Sequence, residues 1–331
     1  MSLSANPVPS ISAGGRTMKA ARVHHWGSPD IIVLESIEVA DPGEKEILVR
    51  VHAAGVGPWD ALVRTGNSGL RQTLPLTLGA EVSGVVEQAG PRTTGFAVGD
   101  EVFGATNAMF VGGYAEYAVA SAGMIALKPA ELSHFEAASM PVVAVTAWQM
   151  LFDCAKVREG QTVVIHGGAG NVGAYAVQLA RASKLHVIAT VHGDDADYVR
   201  GLGADEVIDT GSNDFGAKGF GGFAQRADTV IDTVGGNTQD QLFTLVKPGG
   251  IIVSSVVRPN ARRAEQHGVR PDYFIVDVNT AQLAQTADMI KRKEIRSAVG
   301  SILPLGDVRA AHEMLAGTRA RRRGKIVLQV V

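Results

Sequence analysis

Residues 162–183, TVVIHGGAGNVGAYAVQLARAS, decide the fold. Four β-forming residues, Thr162 to Ile165, run into His166, and Gly168-x-Gly170-x-x-Gly173 follows. Val172, Ala176, Val177, Leu179 and Ala180 then recur with the spacing of one helix face. Strand, tight turn and helix start, in that order, are the setting in which a phosphate-binding glycine fingerprint has meaning. Gly168 is expected to permit the turn off the strand, Gly170 to admit a pyrophosphate close to the backbone, and Gly173 to let the helix lie on the sheet. Ala169, Asn171 and Val172 complete the loop, where free N–H groups at the positive end of the helix face the phosphates. A glycine-rich turn without a ligand is the competing account of a lone fingerprint. A second strand, Leu185–Thr190, arrives after a short gap and completes a βαβ unit, which favours a bound nucleotide.

The 331 residues are 46% hydrophobic, enough for two domains and a large core. A net charge of −2 argues against nucleic acid or a membrane surface as the main partner. One cysteine, Cys154, excludes an internal disulfide framework and a thiolate-built zinc site, and fits a reduced, cytoplasmic setting. Residues 1–17 are rich in Ser, Pro, Gly and Ala, without an apolar run of signal-peptide length, and read as a disordered leader.

From Lys19 to Pro129 the pattern is short strands and glycine turns: Ala20–His24, Glu46–Ala53, Val82–Glu87, Asp100–Phe103, Tyr114–Val119 and Met124–Leu127. This spacing predicts a compact, partly barrel-like β unit. Ser133 and Glu136 form a capping box that opens an apolar helix, interrupted at Pro141 and resuming through Val145–Phe152. Strand and helix then alternate, with strands at Thr162–His166, Leu185–Thr190, Glu206–Asp209, Thr229–Val234, Ile251–Val256 and Tyr273–Val278. Their near-continuous Val/Ile runs predict a parallel sheet covered on both faces. Phe215–Phe223 is glycine-rich and reads as a frayed helix or loop. A helix from Thr280 to about Lys293, another at Asp307–Leu315 and a last strand at Lys325–Val330 break the alternation. That strand returns most economically to the first domain, which makes the nucleotide domain an insertion beside a cleft.

These residues carry a family resemblance. The chain resembles the medium-chain dehydrogenase/reductases, and among them the zinc-free quinone oxidoreductases that include zeta-crystallin. The carriers are Ala54–Asp60 (AGVGPWD), Leu78–Val86 (LGAEVSGVV), Val98–Phe103 (VGDEVF), Gly112–Tyr117 (GGYAEY), Val163–Gly173, Val230–Gly236 and Lys247–Gly250. The resemblance implies an α/β chain with a GroES-like, mostly-β catalytic domain at 18–139 and 280–331. A doubly wound Rossmann domain of parallel strands fills 140–279, and a homodimer joins through its sheet. Zinc alcohol dehydrogenases of the superfamily carry a Cys where this chain has Gly57 and a His where it has Ala80, so no zinc is expected. Without that Lewis acid, reduction of an already electrophilic small molecule is favoured over plain alcohol oxidation.

NAD-specific sites place a carboxylate at the end of the second strand, where this chain has Val191. The neutral end leaves room for a 2′-phosphate, to which His192 or Tyr198 can donate, and NADPH is expected rather than NADH. Asp194 and Asp195 are expected to cap the following helix. The basic run Arg319–Arg323 either reaches the cofactor or, for most of its charges, forms a solvated loop. The resemblance further implies cofactor contacts from Pro58, Thr146, Val234, Val256, Phe274 and Ile275. Trp59 is a flat wall for an aromatic acceptor or packs under its own loop, with Asp60 and Phe110 as further pocket candidates. Asp60 and Arg64, four apart on a short helix, are expected to pair, and Glu81 to hold a nearby Arg. His166 is expected to support the phosphate loop from the strand end, and no catalytic acid stands out.

The expected activity is zinc-independent hydride transfer from NADPH to a quinone or α,β-unsaturated carbonyl. The alternatives are a non-catalytic NADPH-binding sensor or structural protein, and a reductase for acyl-chain or secondary-alcohol type substrates.

Overall fold

The computed structural model describes residues 15–212 and 219–331. Most of the expected leader, 1–14, and residues 215–218 of the glycine-rich stretch lie outside the described residues. Arg16 and Thr17 do not: Arg16 pairs with Glu87 at 2.9 Å and Thr17 opens the first strand.

The first half of the chain is built of β1 (Thr17–Val23), β2 (Val33–Glu38), β3 (Glu46–Val56) and β4 (Leu76–Thr77). β5 (Glu81–Ala89), β6 (Glu101–Ala105), β7 (Tyr117–Ser121) and β8 (Ile125–Leu127) follow. β2 has no counterpart in the sequence pattern: its Leu34 is exposed, and its backbone register on β1 defines it rather than a buried face. Tyr114 precedes its expected strand, which begins at Tyr117. β15 (Val299–Pro304) and β16 (Lys325–Gln329) close a seven-stranded sheet ordered β15-β16-β3-β5-β6-β8, with β7 also on β3. β16 lies antiparallel to β3, Ile326 opposite Val56, so the chain end does come back to the first body.

The second sheet is parallel throughout and ordered β11-β10-β9-β12-β13-β14. Its strands are β9 (Thr162–His166), β10 (His186–Val191), β11 (Glu206–Asp209), β12 (Ala227–Asp232), β13 (Val246–Ser254) and β14 (Arg270–Tyr273). The chain winds outward from β9 through β10 to β11 and then resumes at β12 on the other side of β9. Between β9 and β12 the winding reverses, and such a switch point opens a crevice at the carboxyl ends of the strands. The last strand falls earlier than expected. Gly268, at φ 62°, ends the Ala261–His267 helix and turns Arg270–Tyr273 onto the sheet edge, leaving 274–278 outside it. Pro271 is tolerated there because an edge strand need not donate on both sides.

The Ser133 capping box is present in both halves: Glu136 N donates to Ser133 Oγ at 3.3 Å and Ser133 N to Glu136 Oε2 at 2.9 Å. Pro141 starts a new helix, Pro141–Trp148, as a proline at the first helical position can. That helix is apolar nearly all round and packs at the seam, its Val143, Ala144, Val145 and Ala147 sharing one buried cluster with Phe103 and Phe110 of the β body and Ile165 of the parallel sheet. The molecule is therefore a GroES-like β body and a Rossmann-like sheet in continuous apolar contact.

Candidate functional site

At the switch point β9 ends in His166, and Gly167, at φ 84°, makes the turn. That left-handed residue was expected at Gly168. Gly168 instead packs on β10, where a Cβ would stand 2.9 Å from that of Ala189. Gly173 has the expected role, since a Cβ there would lie 2.1 Å from the Gly167 carbonyl oxygen. Only a bare α-carbon lets the Asn171–Ala182 helix start this close to the turn. His166 braces the loop: its Nδ1 lies 2.7 Å from Thr190 Oγ1 and its Nε2 3.2 Å from Thr238 Oγ1. Burial pushes its pKa down, so the ring is neutral at pH 7.

A groove of about 570 Å³ runs from this turn across the end of β10 to the C-terminal segment. Ala169, Gly170, Asn171, His192 and Val234 line it, while Gly168, Val172 and Gly173 do not. Val191 ends β10 without a carboxylate, and Thr210 stands beside it, donating to the Val191 carbonyl at 2.9 Å. Arg321, Arg322 and Arg323 also line the groove, and all three are exposed, so this part of the basic run is at once a solvated loop before the last strand and an edge of the site; Arg319 does not line it. Asp195 does not cap its helix through its side chain; it pairs with Arg323, whose guanidinium also lies 4.6 Å over the Tyr198 ring. Tyr198 therefore shapes the groove through Arg323. Pro58, Thr146, Val256, Phe274 and Ile275 are not brought to this groove. Thr146 is buried with its hydroxyl donating to the Val142 carbonyl at 2.7 Å, and Val256 and Ile275 are exposed.

Beneath the turn that starts the Pro58–Thr65 helix lies a charged cluster. Lys325, on β16, donates to Glu81, on β5; both side chains are 3% exposed. Val142 N donates to the other Glu81 oxygen at 2.9 Å. The partner of Glu81 is thus a lysine from the last strand, not an arginine. Asp60 does not pair with Arg64 either. Its Oδ2 accepts from Gly57 N at 2.8 Å, its Oδ1 has no partner, and Arg64 Nε donates to His312 Nδ1 at 3.3 Å. Burial pushes the Asp60 carboxyl up to about 7, against the pull of the Gly57 N–H and the Lys325 ammonium. An opposite charge pair opening two apolar strands, Glu81-Val-Ser-Gly-Val-Val and Lys325-Ile-Val-Leu, was the available signal for this pairing.

The cluster also tests whether the site suits zinc. A Cβ at Gly57 would stand 3.1 Å from Lys325 Nζ, so the ammonium fills the space a ligating side chain would need. A cation is already seated there, Gly57 and Ala80 offer no donor, and among the described residues no group of three or more His, Cys, Asp or Glu is placed to hold a metal. The residues do not fit zinc.

Above the turn, Trp59 is half-buried, its ring edge-on to Phe110 with centroids 5.5 Å apart. Phe110 holds φ 55°, which Asn107 supports by accepting from Met109 N at 3.0 Å and donating to the Val111 carbonyl at 2.8 Å. Gln72 Nε2 donates to the Met109 carbonyl at 3.0 Å and ties the 65–73 loop to it.

Two family descriptions match the chain: the alcohol dehydrogenase GroES-like domain over residues 43–130 and the zinc-binding dehydrogenase over 202–328. A quinone oxidoreductase of Lama guanicoe is 31% identical, with 96% of this chain and 99% of that protein covered. The human quinone oxidoreductase is 30% identical over the same shares. Among solved structures, a quinone oxidoreductase from Coxiella burnetii superposes with a TM-score of 0.86 at 31% identity, covering 96% of this chain and 100% of that one. Mycobacterial Rv1454c, solved in complex with NADPH, superposes with a TM-score of 0.81 at 28% identity, covering 95% and 100%.

Proposed function

The chain belongs to the zeta-crystallin-like quinone oxidoreductases of the medium-chain dehydrogenase/reductase superfamily, and on that footing we propose that it passes reducing equivalents from NADPH to a quinone or α,β-unsaturated carbonyl, without zinc. The observation that carries the reading is the groove that joins the glycine turn to three arginines across a carboxylate-free strand end.

When bound, the reduced nicotinamide supplies a hydride; what remains is binding and positioning by this chain. The first-turn N–H groups of the Asn171–Ala182 helix face the pyrophosphate. Val191 would leave a ribose 2′ position without a competing carboxylate, and Arg321, Arg322 and Arg323 would hold a phosphate there. Asp195 holds Arg323 in place until a phosphate competes for it. His192, lining the same stretch, is a further donor, and Tyr198 positions Arg323. The Thr146 oxygen, whose hydrogen goes to the Val142 carbonyl, would accept from the carboxamide, and Val234 from the groove with Pro58, Val256, Phe274 and Ile275 from outside it would hold the nicotinamide end. Trp59 and Phe110 wall the acceptor position and keep water from it, as hydride transfer requires.

The proposed division is 18–139 with 280–331 as the catalytic body and 140–279 as the nucleotide body. β14 pairs on one side only, which suits a homodimer joined through that edge; light scattering tests it.

Oxidation of NADPH and NADH is followed with a panel of quinones and enones, in wild type and Arg323→Ala. The expected result is turnover with NADPH preferred, and a KM for NADPH raised about 10- to 100-fold in the variant while that for NADH is unmoved. Turnover of no acceptor refutes the enzyme assignment; equal loss with both cofactors refutes the role of Arg323.

A further inference from the structure

Five buried side-chain polar atoms lack a hydrogen-bond partner among the described residues, and two fall on consecutive residues, Trp59 Nε1 and Asp60 Oδ1. Asp60 belongs to the charged cluster, and burial raises its carboxyl toward the protonated form. An indole has no such remedy: its N–H can only donate, and native structures rarely bury a donor without a use for it.

Trp59 is the second residue of the Pro58–Thr65 helix and packs against both large apolar clusters, so it stands at the seam of the two bodies. The other polar groups nearby are committed. The Lys325 ammonium is held by Glu81, Asp60 accepts from Gly57 N, and the Thr146 hydroxyl donates to the Val142 carbonyl. Phe110 stands edge-on to the indole and is kept by the 107–111 turn in a backbone conformation that bulky side chains seldom adopt. An aromatic acceptor that parted the two rings would bring its carbonyl edge to this unpartnered indole N–H.

Resting on the reductase reading above, we infer that the Trp59 indole N–H donates a hydrogen bond to the carbonyl oxygen of a quinone-type acceptor. The acceptor gains two electrons and one hydrogen at its electron-poor carbon, as a C–H bond of the cofactor breaks and leaves the nicotinamide oxidised. The C=O electrons move onto oxygen, and that oxyanion takes its proton from water. The indole keeps its own proton, and its hydrogen bond strengthens as the oxygen gains charge.

The test pairs Trp59→Phe, which keeps a ring and deletes the donor, with Trp59→His, which keeps a ring N–H. Both are assayed with a benzoquinone and with a tetrazolium dye, a reducible acceptor that has no carbonyl. NADPH binding is titrated by fluorescence, and the carbonyl stretch of the bound quinone is read by infrared difference spectroscopy. Trp59→Phe is expected to lose about 10- to 100-fold in kcat/KM for the quinone only. The quinone carbonyl band should move to higher frequency, with partial recovery of rate and band in Trp59→His and NADPH binding unchanged. Equal loss with both acceptors, or an unmoved carbonyl band, overturns the inference and leaves the reductase reading standing. A wild type that binds NADPH and turns over neither acceptor overturns both.

Discussion

Replacing Lys325 by methionine keeps most of the side-chain stem and deletes its charge. In the wild type the ammonium and the Glu81 carboxylate are both 3% exposed, so neither is screened by solvent. After the change one Glu81 oxygen keeps the Val142 N–H at 2.9 Å, and the other is left without its cation. Asp60, whose carboxyl the same ammonium pulls down, loses that support as well. Breaking a buried pair from one side costs about 3–5 kcal/mol, far more than the pair gains over an apolar replacement. At about 2–4 °C per kcal/mol for a cooperative unit of ~150–250 residues, and less for a larger one, Tm should fall by roughly 5–15 °C.

The assay is urea unfolding by circular dichroism with calorimetry, on Lys325→Met, Glu81→Leu and the double variant. In the double variant no charge remains from the pair, and stability should return to within about 1–2 kcal/mol of wild type. A single Lys325→Met loss under about 1 kcal/mol would mean that water reaches the pair. Single losses that simply add in the double variant would mean that the two charges do not depend on each other. Either result refutes the buried ammonium as what holds this cluster together.

Asp60→Asn tests the neighbouring carboxyl. Its folded pKa of about 7 lies above the ordinary carboxyl value of 3.8, so the folded state binds a proton that the unfolded state has lost, and wild-type stability falls as pH rises from about 4 to 7. The asparagine variant should flatten that slope, worth at most about 4 kcal/mol, in unfolding curves taken across the window. His312 has the opposite sign: burial, then Arg64, pushes it down to about 3 from 6.5. The unfolded chain therefore takes up a proton first as pH drops below 6.5, stability is lost toward pH 3, and His312→Gln should make that acid loss shallower. Gly173→Ala places a methyl 2.1 Å from the Gly167 carbonyl oxygen and should abolish NADPH binding in a fluorescence titration, with thermal unfolding showing whether the fold survives.

The parallel sheet was readable because its inner strands are buried on both faces and appear as runs of Val and Ile, as at Thr162–His166; the edge strand Glu206–Asp209, where only Ile208 is buried, also falls where the pattern puts it. The β body was legible in outline only. Its β2 presents exposed and half-buried residues in alternation and is held by pairing with β1, a force that leaves no apolar mark in the sequence. The glycine fingerprint was legible as a motif but not atom by atom, since Gly167 and Gly168 are neighbours and only the backbone shows which one has the positive φ.

The site divides along the same physical line. Residues that act through local geometry, the turn and the helix start, are adjacent in sequence and could be named from it. Residues that act through charge are brought in by the last strand: Lys325 reaches Glu81 across 244 positions, and Arg323 meets Asp195 from the same segment. Both follow from one topological fact, the antiparallel pairing of β16 with β3, which sets Lys325 in the core below Gly57 and the preceding arginines at the mouth of the groove. The start of β16 and the arginines just before it thus supply the cation of the buried cluster and the cations lining the groove at the glycine turn. A shift of β16 by one residue would turn Lys325 away from Glu81, since alternate side chains of a strand face opposite sides. The position of the groove arginines and the stability of the buried Lys325–Glu81 pair are therefore both tied to the register of β16.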